Sequence, residues 1–128
     1  MELQQQVTSQ EISIKMKDLG ITEPSIFYRD YRGSKDNEIE MNKEPYFNPD
    51  NVNAYTVAEL GEMLPQILKI KGIKYQLFIS VGLDKQWFVV YANEKDYHDN
   101  APIKFMMCHH EADARAKMLI YLKENNLL

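Results

Sequence analysis

Hydrophobic positions along the chain recur at two spacings, and glycine, proline or capping residues mark most changes from one to the other. Ile12, Met16 and Leu19 stand at i, i+4 and i+7, a single apolar stripe on a helix. Thr8 and Glu11 precede them in the S/T-x-x-E spacing, which predicts a helix opened by a capping box. Gly20 follows as the residue suited to a left-handed helix end. Pro24 blocks further extension, so the aromatic and β-branched run from Ser25 to Tyr31 is predicted as a strand. From Arg32 to Asn53 the pattern dissolves. Gly33, Pro45 and Pro49 interrupt a polar stretch, a long connection in which only Glu38 to Asn42 suggests an edge strand. Its Tyr46 and Phe47 pair is a candidate exposed contact, although the plainer reading has both rings pinning the connection to the core.

Thr56 and Glu59 repeat the capping-box spacing, with Tyr55 and Leu60 at the positions of a hydrophobic staple. Val57, Leu60, Leu64 and Ile67 continue a helical stripe that Pro65 ends or kinks, and Gly72 marks a loop. Tyr75 to Val81 and Gln86 to Ala92 read as an antiparallel hairpin. An even loop pairs Val81 with Gln86, placing Leu77 and Ile79 with Phe88 and Val90, and Phe78 with Trp87, Val89 and Tyr91. An odd loop containing a bulge exchanges the faces of the second strand. In either register both faces are apolar, so helices cover both or one face is an interface. Phe78, Trp87, Val89 and Tyr91 are the interface candidates, together with Tyr46 and Phe47. Ile103 to Cys108 suggests another strand. From Glu111 a closing helix carries Ala112, Ala116, Leu119 and Ile120, widened by Met118 and Leu122 and ended by Asn125 and Asn126. The expected class is α+β: a mostly antiparallel sheet of three to five strands with about three helices packed chiefly on one face, in one domain over 1–128.

At 128 residues, 45% hydrophobic and 27% charged, the chain has the composition of an ordinary globular domain. Its apolar runs, such as Trp87 to Ala92, fall far short of the roughly 18 residues of a spanning helix, so no membrane partner is expected. The net charge is −4, with the acidic surplus in residues 1–64 and a slight basic surplus in 65–128. Lys69, Lys71 and Lys74, with Tyr75 beside them, are the best nucleic-acid candidates. Three lysines around a glycine form a solvated connector more often than a phosphate track, so a nucleic-acid partner is disfavoured. The single cysteine, Cys108, has no intramolecular disulfide partner, and Met1 to Val7 carries three glutamines and no apolar run. A cytoplasmic setting follows as the expectation.

Cys108, His109, His110 and Glu111 are four adjacent groups able to ligate metal or transfer protons, and His98 lies ten residues earlier. Adjacent side chains diverge, whereas metal sites use spaced ligands, and no second histidine follows His110 at i+4. The preferred reading is a strand end entering a helix whose dipole favours Glu111; a thiolate nucleophile at Cys108 is the alternative. The acidic pairs Glu38 with Glu40 and Glu94 with Asp96 stand in polar connectors, and no nucleophile elbow or phosphate-binding glycine loop occurs. No catalytic residue, metal or cofactor is assigned.

Glu11, then KMKDLGI (Lys15 to Ile21), AYTVAELGEMLP (Ala54 to Pro65) and EADARAKMLIYLKENNLL (Glu111 to Leu128) together resemble a family of small proteins. These occur in phages and prophages of low-GC Gram-positive bacteria and gut Bacteroides. The likeness covers most of the chain. Its marker residues, Leu60, Gly61, Leu64, Pro65, Ala114, Lys117, Leu119 and Tyr121, read as packing and capping positions. What it implies is a mobile-element setting with no reaction attached. The expected function is that of a non-enzymatic accessory protein whose partner is another protein or a second copy of itself. The alternatives are a nucleic-acid-associated protein and a metal or thiol enzyme around Cys108 to Glu111.

Overall fold

The computed structural model describes residues 3–29, 39–46, 52–93 and 105–128. Along them run α1 (Leu3–Gln6), α2 (Gln10–Asp18), β1 (Ser25–Arg29), β2 (Ile39–Tyr46), β3 (Val52–Asn53) and α3 (Val57–Met63). Then come β4 (Ile67–Ile70), β5 (Ile73–Val81), β6 (Trp87–Ala92), β7 (Phe105–Cys108) and α4 (Glu111–Glu124). The class is α+β and every strand pairing is antiparallel. The strands divide between two sheets, ordered β2-β1-β3 and β4-β5-β6-β7.

The predicted box at α3 forms in full. Thr56 Oγ1 accepts from the Glu59 amide at 3.2 Å, and Glu59 Oε1 accepts from the Thr56 amide at 2.9 Å. The same carboxylate takes Ser25 Oγ and the Ile26 amide, both at 3.0 Å, so one side chain caps α3 and anchors the start of β1. The helix stops at Met63 because Pro65 forces Leu64 into an extended conformation. Ile67 consequently leaves the helical stripe predicted for it and enters β4, where it pairs with Gln76.

At α2 the predicted box between Thr8 and Glu11 does not form. Ser9 is the N-cap residue, its amide donating to Asp113 Oδ1 at 2.8 Å. Thr8 is fully buried: its hydroxyl hydrogen-bonds Ser13 Oγ at 2.6 Å and accepts the Tyr55 amide at 3.1 Å. Ser13, five residues on, and the distant Tyr55 have taken the group that the capping motif would use. The other end closes as expected. Gly20 adopts φ +80°, and the Gly20 and Ile21 amides reach back to the Lys17 and Met16 carbonyls, both at 3.0 Å.

The polar stretch is more regular than its composition suggests. Ile39–Tyr46 forms a strand reaching past Glu38 to Asn42, and Val52–Asn53 forms a second. Both pair with β1, which gives them the hydrogen-bonding partner their own sequence does not specify. Pro45 is tolerated because β2 is an edge strand.

The central element is α4. Ala112, Ala114, Ala116, Met118, Leu119, Ile120 and Leu122 are all buried, because the helix lies against β6 and β7 and also meets α1, α2 and α3. One hydrophobic cluster joins it to Met16, Tyr55, Leu60, Leu68, Leu77, Val89 and Tyr91. Burying each larger member stabilises the fold by roughly 2 kcal/mol. Among the described residues no helix is long and apolar enough to cross a membrane.

Candidate functional site

The hairpin loop decides what the four-stranded sheet shows to solvent. Gly82 and Gln86 close it through Gly82 N donating to Gln86 O at 2.9 Å, and Lys85 N donates to Gly82 O at 3.0 Å. Lys85 takes φ +62°, so three residues span the turn and the register is odd, pairing Val81 with Trp87. Leu77, Ile79, Trp87, Val89 and Tyr91 therefore share the face covered by α4, joined there by Met106 and Cys108. Three of the predicted interface residues are corrected by this. Val89 and Tyr91 are fully buried, and Trp87 packs against the core cluster. A one-residue change of loop length has moved them from the face assigned to Phe78.

Phe78 stays on the outer face with different neighbours. Across the sheet it stands in a row with Val90 and Phe105, and the next row is Ser80, Phe88 and Met107. Phe105 is 52% exposed, Met107 45% and Phe78 38%, while Phe88 and Val90 are half-buried. The Phe88 and Phe105 rings meet with centroids 5.2 Å apart and planes inclined by 40°. Phe88 also leans over Gly82, where an added Cβ would stand 2.6 Å from its ring. Sequence alone leaves the odd loop as one of two options, so it does not single out Phe88, Val90, Phe105 and Met107 as outward. The left-handed position that usually carries glycine holds Lys85.

Lys69, Lys71 and Lys74 come together beyond one end of this patch. Lys69 and Lys74 are cross-strand partners, and Lys71 and Gly72, both at positive φ, form the tight turn between β4 and β5. All three lysines are exposed. Among the described residues, the outward positions of β4, β5, β6 and β7 hold no carboxylate. Of the remaining interface candidates, Phe47 lies outside the described residues and Tyr46 is the last residue of β2.

The Cys108 to Glu111 run is divided among different jobs. Cys108 faces the core, His109 and His110 are exposed, and His110 is the N-cap residue of α4. Glu111 is ion-paired with Arg115 one turn on, Oε2 to Nη2 at 2.6 Å. Among the described residues no three His, Cys, Asp or Glu side chains gather in a way that would hold a metal. His98, Glu38, Glu94 and Asp96 lie outside the described residues.

The buried polar groups are committed to holding elements together. Arg29 Nη2 donates to Thr8 O at 3.0 Å, and burial lowers its pKa against the opposing pull of Asp113. Tyr55 donates its hydroxyl to Glu23 O at 2.7 Å and receives Asn53 Nδ2 at 3.3 Å; burial pushes its phenol up to about 12. Tyr91, whose phenol burial also raises, donates to Pro65 O at 2.6 Å and ties β6 to the start of β4. A groove of about 410 Å³ between α2 and α4 has an apolar floor that includes Ile12, Met106 and Ile120. The Lys15–Glu124 ion pair, at 3.4 Å, belongs to its wall, with Glu11, Lys117 and Tyr121 beside it.

The fold and this surface define an α+β protein whose four-stranded sheet has one face sealed by a helix and the other carrying exposed aromatic rings. Comparison with known protein families, with curated proteins and with solved structures finds no match.

Proposed function

We propose that this protein is a non-enzymatic accessory protein of a phage or prophage that works by binding another protein through the outer face of the β4–β7 sheet. The observation that carries the reading is the cluster of Phe78, Phe88, Val90, Phe105 and Met107 on the face opposite α4, where Phe78, Phe105 and Met107 are exposed. Exposed apolar clusters of this kind mark interaction surfaces, because leaving several rings in water forfeits burial energy that a partner would recover. The mobile-element setting comes from the sequence resemblance alone. The test is affinity capture from host lysate with the wild type and with the Phe78→Ser, Phe105→Ser double variant, beside light scattering of each alone. A partner retained by the wild type and lost by a folded double variant supports the reading. Identical capture profiles, or no retained partner, overturn it.

A further inference from the structure

We propose that the segment seated on this face is apolar along its length and acidic at one end, lying across Phe78, Phe88 and Phe105 with its carboxylates against Lys69, Lys71 and Lys74. This occupant presupposes the docking role proposed above and adds its chemistry. Outward residues on one strand are spaced by about 6.7 Å, so Lys74 lies about 13 Å along β5 from Phe78. A helix of about three turns spans both. The chain as a whole is net −4, yet the described outward positions of this sheet carry lysines and no carboxylate, so the face is a local positive exception. Lys69 and Lys74 stand directly opposite each other on adjacent strands. Like charges so placed repel, and an anionic group settling between them relieves the repulsion.

The centre of the patch favours protein side chains over nucleic-acid bases. Val90 and Met107 are aliphatic and offer no flat ring for a base to stack on, and the Phe88 and Phe105 rings incline by 40° against each other.

The experiment is selection from a random displayed-peptide library on the whole protein, counter-selected on the Phe78→Ser, Phe105→Ser variant. Fluorescence anisotropy of recovered peptides and of a single-stranded oligothymidylate follows at low and high salt. The expected peptides combine Leu, Ile or Phe with a terminal run of Asp or Glu. They weaken with salt and bind about tenfold more weakly to the Lys69→Glu, Lys71→Glu, Lys74→Glu variant, whose changes are all at exposed positions. Apolar peptides without acidic bias, still lost on the phenylalanine variant, overturn the acidic occupant and leave the docking face standing. Peptides that ignore the phenylalanine variant, or no recovered peptides, overturn both. Tighter binding of the oligothymidylate replaces the occupant with a nucleic acid, and self-association through Phe78 and Phe105 in sedimentation replaces it with a second copy. Either result overturns the proposal.

Discussion

Glu59 shows how much one side chain carries. Its carboxylate accepts from the Thr56 amide, the Ser25 hydroxyl and the Ile26 amide, so Glu59→Ala removes a helix cap and a strand anchor together. The expected loss is about 2 kcal/mol, read from the shift in urea midpoint at constant slope. Tyr55 sets an alkaline limit. Its phenol titrates at about 12 when folded, against about 10 in the unfolded chain, because burial penalises the phenolate. Its contribution to stability is complete below pH 10 and is lost as pH rises through 12. The melting temperature should be level up to about pH 9 and fall above about pH 10; Tyr55→Phe should be less stable at neutral pH and decline less steeply in alkali. At Gly82 the missing side chain makes room for the Phe88 ring, and Gly82→Ala should lower stability by about 1 kcal/mol by displacing it.

At the scale of elements, the β5–β6 hairpin carries the decisive count. Leu83 at its tip is fully exposed, so Leu83→Ser should change stability by less than about 0.5 kcal/mol. Deleting Leu83 makes the loop even and turns Trp87, Val89 and Tyr91 away from α4, which should abolish cooperative unfolding in denaturant. Lys85 holds a left-handed conformation at some cost, and Lys85→Gly should raise stability by about 0.5 kcal/mol or more, seen as a higher melting temperature. The helix ends obey simpler rules. Gly20 and Asn126 both take positive φ just past their helices, and the following residues, Ile21 and Leu127, donate back to Met16 and Leu122.

For the whole molecule, the sheet β4–β7 has two chemically similar faces with different fates. Helix α4 seals one, and the other keeps Phe78, Phe105 and Met107 partly in water. The Phe78→Ser, Phe105→Ser variant should bind less of a hydrophobic dye than the wild type while keeping its secondary structure by circular dichroism. Unchanged dye binding would place the accessible apolar surface elsewhere. The capture experiment tests the docking role of the outer face, and the peptide selection tests the chemistry of the segment that docks there.

What the amino-acid order determined by itself was local. The Thr56–Glu59 box, the stop imposed by Pro65, the glycine end of α2 and the long apolar helix α4 each depend on groups a few residues apart, so they are legible in one dimension. The α+β class followed from their order. What only tertiary structure decided was every choice between equal local options. Thr8 abandoned its predicted box as its hydroxyl accepted the buried amide of Tyr55, 47 residues away. Ile39–Tyr46 and Val52–Asn53 became strands because β1 supplied the ladder. The outer-face cluster emerged from a three-residue loop in which lysine occupies the left-handed position. Strand alternation specifies two sets of side chains, and only the register against neighbouring strands and α4 settles which set is buried.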